Sequence, residues 1–154
     1  MPNHNYDDLF DRWGQALNVN PQLGKTVFHI ESSGGRNTGK SLPSDPDSPV
    51  GPMQMRPSTA AEMARVLHLD PKRIDLQDMG WAVPLSMAYL AQGLTRTDGD
   101  GSHALAYYYS GSADPQKWGP KTQDYMARGG KLYPTMQLQL PEQMAQAAPP
   151  PAGQ

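Results

Sequence analysis

The stretch PQLGKTVFHIESSGGRNTGKS, residues 21–41, admits two incompatible folds. Gly34 to Ser41 fits G-x-x-x-x-G-K-[ST], in which a buried strand delivers the chain to a glycine turn and the helix that follows offers its amides to phosphate. The continuation refuses that helix, because Pro43, Pro46 and Pro49 come directly after Ser41. No second strand ends in an Asp suited to magnesium, and no βαβ alternation is present. The other reading is helical. Asn20 stands as N-cap with Pro21 at the first helical position, and Leu23, Val27, Ile30 and Glu31 follow at i, i+4, i+7 and i+8.

Outward from this helix the helical period persists. In NYDDLFDRWGQAL, Tyr6, Leu9, Phe10, Trp13 and Leu17 form one apolar stripe. Residues 33–57 are rich in Gly, Ser and Pro and predict a loop, with at most a short strand around Val50 to Met55. STAAEMARVL predicts the next helix, with Thr59 and Glu62 at capping-box spacing and Ala60, Met63, Ala64 and Leu67 on its apolar face. DLQDMGWAVPLSMAYLAQGL carries Val83, Met87, Leu90 and Leu94 at helical spacing, which places Pro84 near a helix start or at a kink. SHALAYYYSG and KTQDYMARGGKLY predict two further short helices. Met53, Met55, Met63, Met79 and Met87 are expected in the core. From Pro134 the chain turns to Gln, Ala and Pro, so a domain over residues 1–133 and a tail or linker over 134–154 are expected.

Composition narrows the function classes. With 154 residues, a formal charge of −2 and 18% charged residues, there is no basic stripe for nucleic acid. The absence of cysteine removes disulfides, thiolate metal sites and thiol nucleophiles. MPNHNYDDLFDRW has no secretion-signal pattern, and no segment approaches the roughly 18 apolar residues of a membrane span. TDGDGSH, residues 97–103, hints at a calcium loop, but His103 and Tyr109 occupy the places of the loop glycine and the bidentate glutamate. It predicts a turn between helices. His4, His29, His68 and His103 lack ligand spacing, so neither metal nor cofactor is expected.

Glu31 is the residue with chemical promise. It continues an apolar stripe into the last turn of its helix, where burial and the negative end of the dipole both disfavour a carboxylate. A carboxylic acid that keeps its proton near neutrality is what glycosidic cleavage requires of a general acid. The plainer alternative is a solvated glutamate at a frayed helix end.

Four motifs in order bear on that choice: ES (Glu31-Ser32), SPVGPMQMRPSTA (Ser48 to Ala60), ALAYYYSG (Ala104 to Gly111) and KTQDYMARGGKLY (Lys121 to Tyr133). Over about residues 6–133 the chain resembles the SLT-type lytic transglycosylase domain of the lysozyme-like superfamily. The family's patterns are ES, G-L-M-Q-x-M-P-x-T-A, A-L-A-A-Y-N-A-G and E-T-x-x-Y-V. The resemblance implies a mainly α, goose-type lysozyme-like fold, with a short β-hairpin or loop region lining a glycan cleft. It implies Glu31 as catalytic acid/base and Ser32, Ser48, Met53, Gln54, Tyr108 and Tyr109 as substrate-side residues. Within that set, Ser32 would set the helix end and Tyr108 would position the carboxyl, while Gly51 matches a tight loop glycine. Tyr109, Arg56 and Pro52 depart from the family's Asn, Met and Leu, which bears on subsite detail.

The implied partner is peptidoglycan, cut between MurNAc and GlcNAc. Glu31 would protonate the glycosidic oxygen, then take the proton of the muramoyl O6 hydroxyl as it closes a 1,6-anhydro ring. A lysozyme of similar fold would add a second carboxylate to orient water. Asp45 and Asp47 are the candidates, although SDPDSP also reads as turn chemistry. A non-catalytic peptidoglycan-binding or structural virion module is a further alternative. The N-terminal sequence resembles bacteriophage virion-associated transglycosylase domains that act in the bacterial periplasm. A bacterial secretion-system enzyme is the second setting.

Overall fold

The computed structural model describes residues 2–33 and 43–132, with side chains from Tyr6 onward. Gly34 to Ser41, the phosphate-loop match, and the tail 134–154 lie outside the described residues. Six α-helices are present among those described: α1 (Pro2–Leu17), α2 (Pro21–Ser32), α3 (Pro57–Val66), α4 (Met79–Arg96), α5 (Gly101–Ser110) and α6 (Pro120–Leu132). The described residues after Ser41 form turns and bends, and the next helix begins at Pro57.

Local side-chain caps start three of the six described helices. The Asn20 side chain accepts from the Gln22 amide ahead of Pro21, while Asp78 and Asp100 accept from the Gly80 and His103 amides to start α4 and α5. Asp100 thus works as a cap, and Asp98 and Gly99 make the left-handed turn before it. The start of α3 departs from the capping-box expectation. It begins at Pro57 with Arg56 in the cap position, so Thr59 and Glu62 lie inside the helix. Its orphan amide is met from elsewhere: Asp47 accepts from the Ser58 amide at 2.7 Å and the Ser58 hydroxyl at 2.6 Å.

The core gathers on α4, which packs against α1, α2, α3 and α5. Val83, Leu85, Met87 and Leu90 are wholly buried there, alongside Phe10 of α1, Leu23 and Val27 of α2, Met63 of α3 and Leu105 of α5. Pro84 is the sixth residue of α4, early enough to cost little of the hydrogen-bond ladder. All five methionines expected in the core are buried.

Two glycines decide geometry near the cavity described below. At Gly129 of α6, a Cβ would run into the Leu105 side chain of α5, so this residue sets how closely the two helices approach. Gly51 has φ +82 and opens a tight turn whose ends, Val50 and Met55, form an antiparallel bridge with hydrogen bonds of 2.9 and 3.1 Å. This bridge is what the expected strand around Val50 to Met55 amounts to. Among the described residues no sheet forms.

Candidate active site

Glu31 sits in the last turn of α2, one residue before the helix ends and eight after the fully buried Leu23. Ser33 closes the helix in the left-handed conformation, its amide bonding the His29 carbonyl at 3.0 Å. Ser32 beside it is buried, and its hydroxyl donates back to the Phe28 carbonyl at 3.0 Å. The Ser32 side chain therefore ties down the helix end that carries Glu31 and does not line the cavity.

A cavity of about 440 Å³ opens in front of Glu31. Its described walls are the turn around Gln54, Met55 and Arg56, the start of α3 at Thr59, Tyr89 of α4, and the C-terminal end of α5 from Tyr108 to Gly111. Of the residues singled out in the sequence, Glu31, Gln54, Tyr108 and Tyr109 come together here. Ser32, Ser48 and Met53 are buried and absent from the described lining. Met53 is wholly interior, and the Ser48 amide bonds the Asp45 carbonyl within a turn.

Gln54 has φ +48, and both its amide and its Nε2 donate to the Gly51 carbonyl, at 3.0 and 2.9 Å. Tyr108 clamps the same turn from the other side, its hydroxyl donating to the Met53 carbonyl at 2.7 Å. Tyr108 thus fixes the turn that forms one wall of the cavity, while its phenol lies close enough to Glu31 to feel the carboxylate's charge. Tyr108→Phe leaves that carbonyl without its donor and is expected to cost about 1–3 kcal/mol. Urea denaturation checks this, and an unchanged midpoint would show that the tie is dispensable.

The phenol that meets the carboxyl is Tyr125 of α6. Its hydroxyl is buried and completes no hydrogen bond of full geometry, yet it lies near enough to Glu31 to favour the ionised form. Tyr125 was legible in the sequence only as a helix aromatic inside the fourth motif. Its ring stacks at 4.9 Å on Tyr109, whose other surroundings leave it 44% exposed at the cavity.

Burial raises the Glu31 pKa from 4.5 to about 7, against the smaller lowering influences of Tyr125 and the Arg128 cation. Tyr108 and Tyr125 are pushed well above the usual phenol range by burial and by the Glu31 charge, and burial lifts Tyr89 to about 12. Glu31 therefore changes charge near neutrality beside the Tyr89 and Tyr108 phenols, which burial keeps protonated.

The two aspartates proposed for water activation are occupied in the loop. Asp47 is held below the usual carboxylate range by its two bonds to Ser58. Asp45 accepts from the Asp47 amide at 3.1 Å and lies 3.9 Å from the Arg56 guanidinium. Neither lines the described cavity.

Residues 8–128 match the profile of the family described as Transglycosylase SLT domain. The chain belongs to that family. No curated protein matches it. The transglycosylase SLT assignment brings with it lytic transglycosylase activity on peptidoglycan, and the helical architecture agrees with the family's lysozyme-like fold. No described helix is long and apolar enough to cross a membrane. For an SLT transglycosylase built this way, Tyr125→Phe removes one of the influences that lower the Glu31 pKa. The alkaline limb of the pH–rate profile is then expected to move to higher pH. A limb that stays in place would mean that the phenol does not act on the carboxyl.

Proposed function

We propose that this domain cleaves the β-1,4 bond between MurNAc and GlcNAc without water, with Glu31 as its single acid/base, leaving a 1,6-anhydroMurNAc end. The observation that carries the reading is the pairing of a carboxyl raised to about pH 7 with a cavity whose described walls hold no second carboxylate. As an acid, Glu31 gives its proton to the glycosidic oxygen while the C1–O bond breaks. As a carboxylate, it then accepts the O6 proton while O6 bonds to C1 and closes the anhydro ring. The proton count balances over the turnover, and no base is required for water.

Neutral surroundings support both halves. Burial raises the Tyr108 and Tyr125 phenols well above their ordinary range, so they hold their protons while Glu31 changes charge. Tyr109, exposed at the cavity wall, offers an aromatic face to a sugar ring.

Mass spectrometry of the muropeptides released from purified sacculi tests this directly. Products that resist borohydride reduction, as anhydro ends do, are expected. Reducible MurNAc ends would instead make the domain a lysozyme, and retained binding to sacculi without release would make it a non-catalytic module. The setting we propose is local penetration of the cell wall by a phage particle acting in the periplasm, on the resemblance of the N-terminal sequence. A secretion-system role is the alternative, and proteomics of purified particles against periplasmic fractions decides between them.

A further inference from the structure

Apart from tyrosines, the described residues lining the Glu31 cavity contribute two ionisable side chains, Glu31 and Arg56. Glu31 changes charge near neutrality, with its pKa raised to about 7. Arg56 therefore supplies the fixed charge of this wall.

Its placement is well defined. Met55, the residue before it, is pinned to Val50 by the bridge, and the residue after it, Pro57, begins α3. The Arg56 guanidinium donates from Nη1 to the Asp47 carbonyl at 3.1 Å, and the same nitrogen lies 3.9 Å from the Asp45 carboxylate. The Asp47 carboxylate lies close enough to feel the Arg56 charge, but its hydrogen bonds come from Ser58 rather than from the guanidinium. Among the described residues the guanidinium is engaged through Nη1 alone, and the side chain is 54% exposed. A planar cation held by one nitrogen, with further N–H donors unspent, is suited to take a carboxylate in a two-pronged contact.

The substrate offers one. MurNAc differs from GlcNAc by a 3-O-lactyl ether whose carboxyl is either free or continued into a peptide stem bearing its own carboxylates. We propose that Arg56 is a specificity-determining residue that binds a carboxylate on this lactyl arm, so that the cleft prefers anionic glycan. The inference rests on the peptidoglycan reading of the cleft. It gives the cavity a means of telling a muramoyl residue from its neutral neighbour.

Binding and cleavage are measured separately to test it. Stem-free glycan strands and stem-bearing strands are each prepared in two forms, native and with carboxylates converted to methylamides. Binding is measured with Glu31→Gln, alone and combined with Arg56→Gln or Arg56→Lys; cleavage is measured with Glu31 intact.

With Arg56 present, native strands are expected to bind about fivefold more tightly than amidated ones, a preference that fades as salt is raised. Arg56→Gln should bring native strands to the affinity of the amidated, and Arg56→Lys should retain part of the preference. Selectivity among stem-free strands assigns the contact to the lactyl carboxylate; selectivity confined to stem-bearing strands assigns it to the stem. Equal affinity for native and amidated strands overturns the inference. So does an Arg56→Gln loss that is the same for both, which would mark Arg56 as a brace for the loop. Charge-selective binding without cleavage would sink the transglycosylase mechanism and leave the role of Arg56 standing. Cleavage without charge-selective binding would do the reverse.

Discussion

Glu31→Gln is expected to lower the rate of muropeptide release by at least about a thousandfold, because one side chain supplies both proton transfers and general acid–base catalysis contributes roughly 10²–10⁴. The same substitution should make the domain more stable in alkaline solution. In the folded chain the carboxyl has a pKa of about 7, against 4.5 when unfolded. The folded state therefore holds the proton more tightly, and its advantage is complete below pH 4.5. Between pH 4.5 and 7 the unfolded chain releases its proton first, so the stability of the native protein falls; above pH 7 it levels off. Glutamine is neutral throughout and lacks this slope. The gain of Glu31→Gln over wild type should be small at pH 4 and reach on the order of 3 kcal/mol at pH 8. Urea titrations at the two pH values measure it. A gain that did not depend on pH would mean that the carboxyl is not held in its raised state.

Gly51→Ala is expected to have the second largest effect. The residue has φ +82, and a Cβ would run into the carbonyl of Leu76, which belongs to the backbone and has no rotamer to yield. Strain at this angle and the steric conflict together should cost about 2–5 kcal/mol. The damage reaches the cleft because Gln54 donates both of its turn hydrogen bonds to the Gly51 carbonyl. Thermal denaturation and muropeptide release should fall together. A variant that kept wild-type stability would show that the Leu76 segment moves aside freely.

The sequence and the structure meet most closely where local physics decides. The stripe of α1, the Asn20 cap with Pro21, and the interior methionines all follow from period or from side-chain chemistry within a few residues. Glu31 stood out by the same logic, as a charged residue on an apolar stripe. The start of α3 did not, because its amide is satisfied by Asp47 from eleven positions upstream, beyond the reach of a capping rule. Tyr125 illustrates the second kind of gap. As an aromatic on a helix it reads as core, and it is the packing of α6 against α2 that brings its hydroxyl to the carboxyl. Motif membership also said less about exposure than about presence. Ser32, Ser48 and Met53 lie in the interior, where Ser32 holds the helix end, Ser48 its turn, and the Met53 carbonyl the tie from Tyr108.

The burial that raises the Glu31 pKa has a consequence for when the chain is dangerous to a cell wall. The elevated pKa belongs to no single helix: α2 carries the carboxyl, while its desolvation and its neighbours Tyr108, Tyr125 and Arg128 come from packing that includes α5 and α6. A chain still being made, or unfolded in transit, carries an ordinary glutamate that has lost its proton well below neutrality. With Glu31 as the proposed acid/base, lytic activity in graded urea should vanish with near-ultraviolet aromatic signals rather than with the last of the helix.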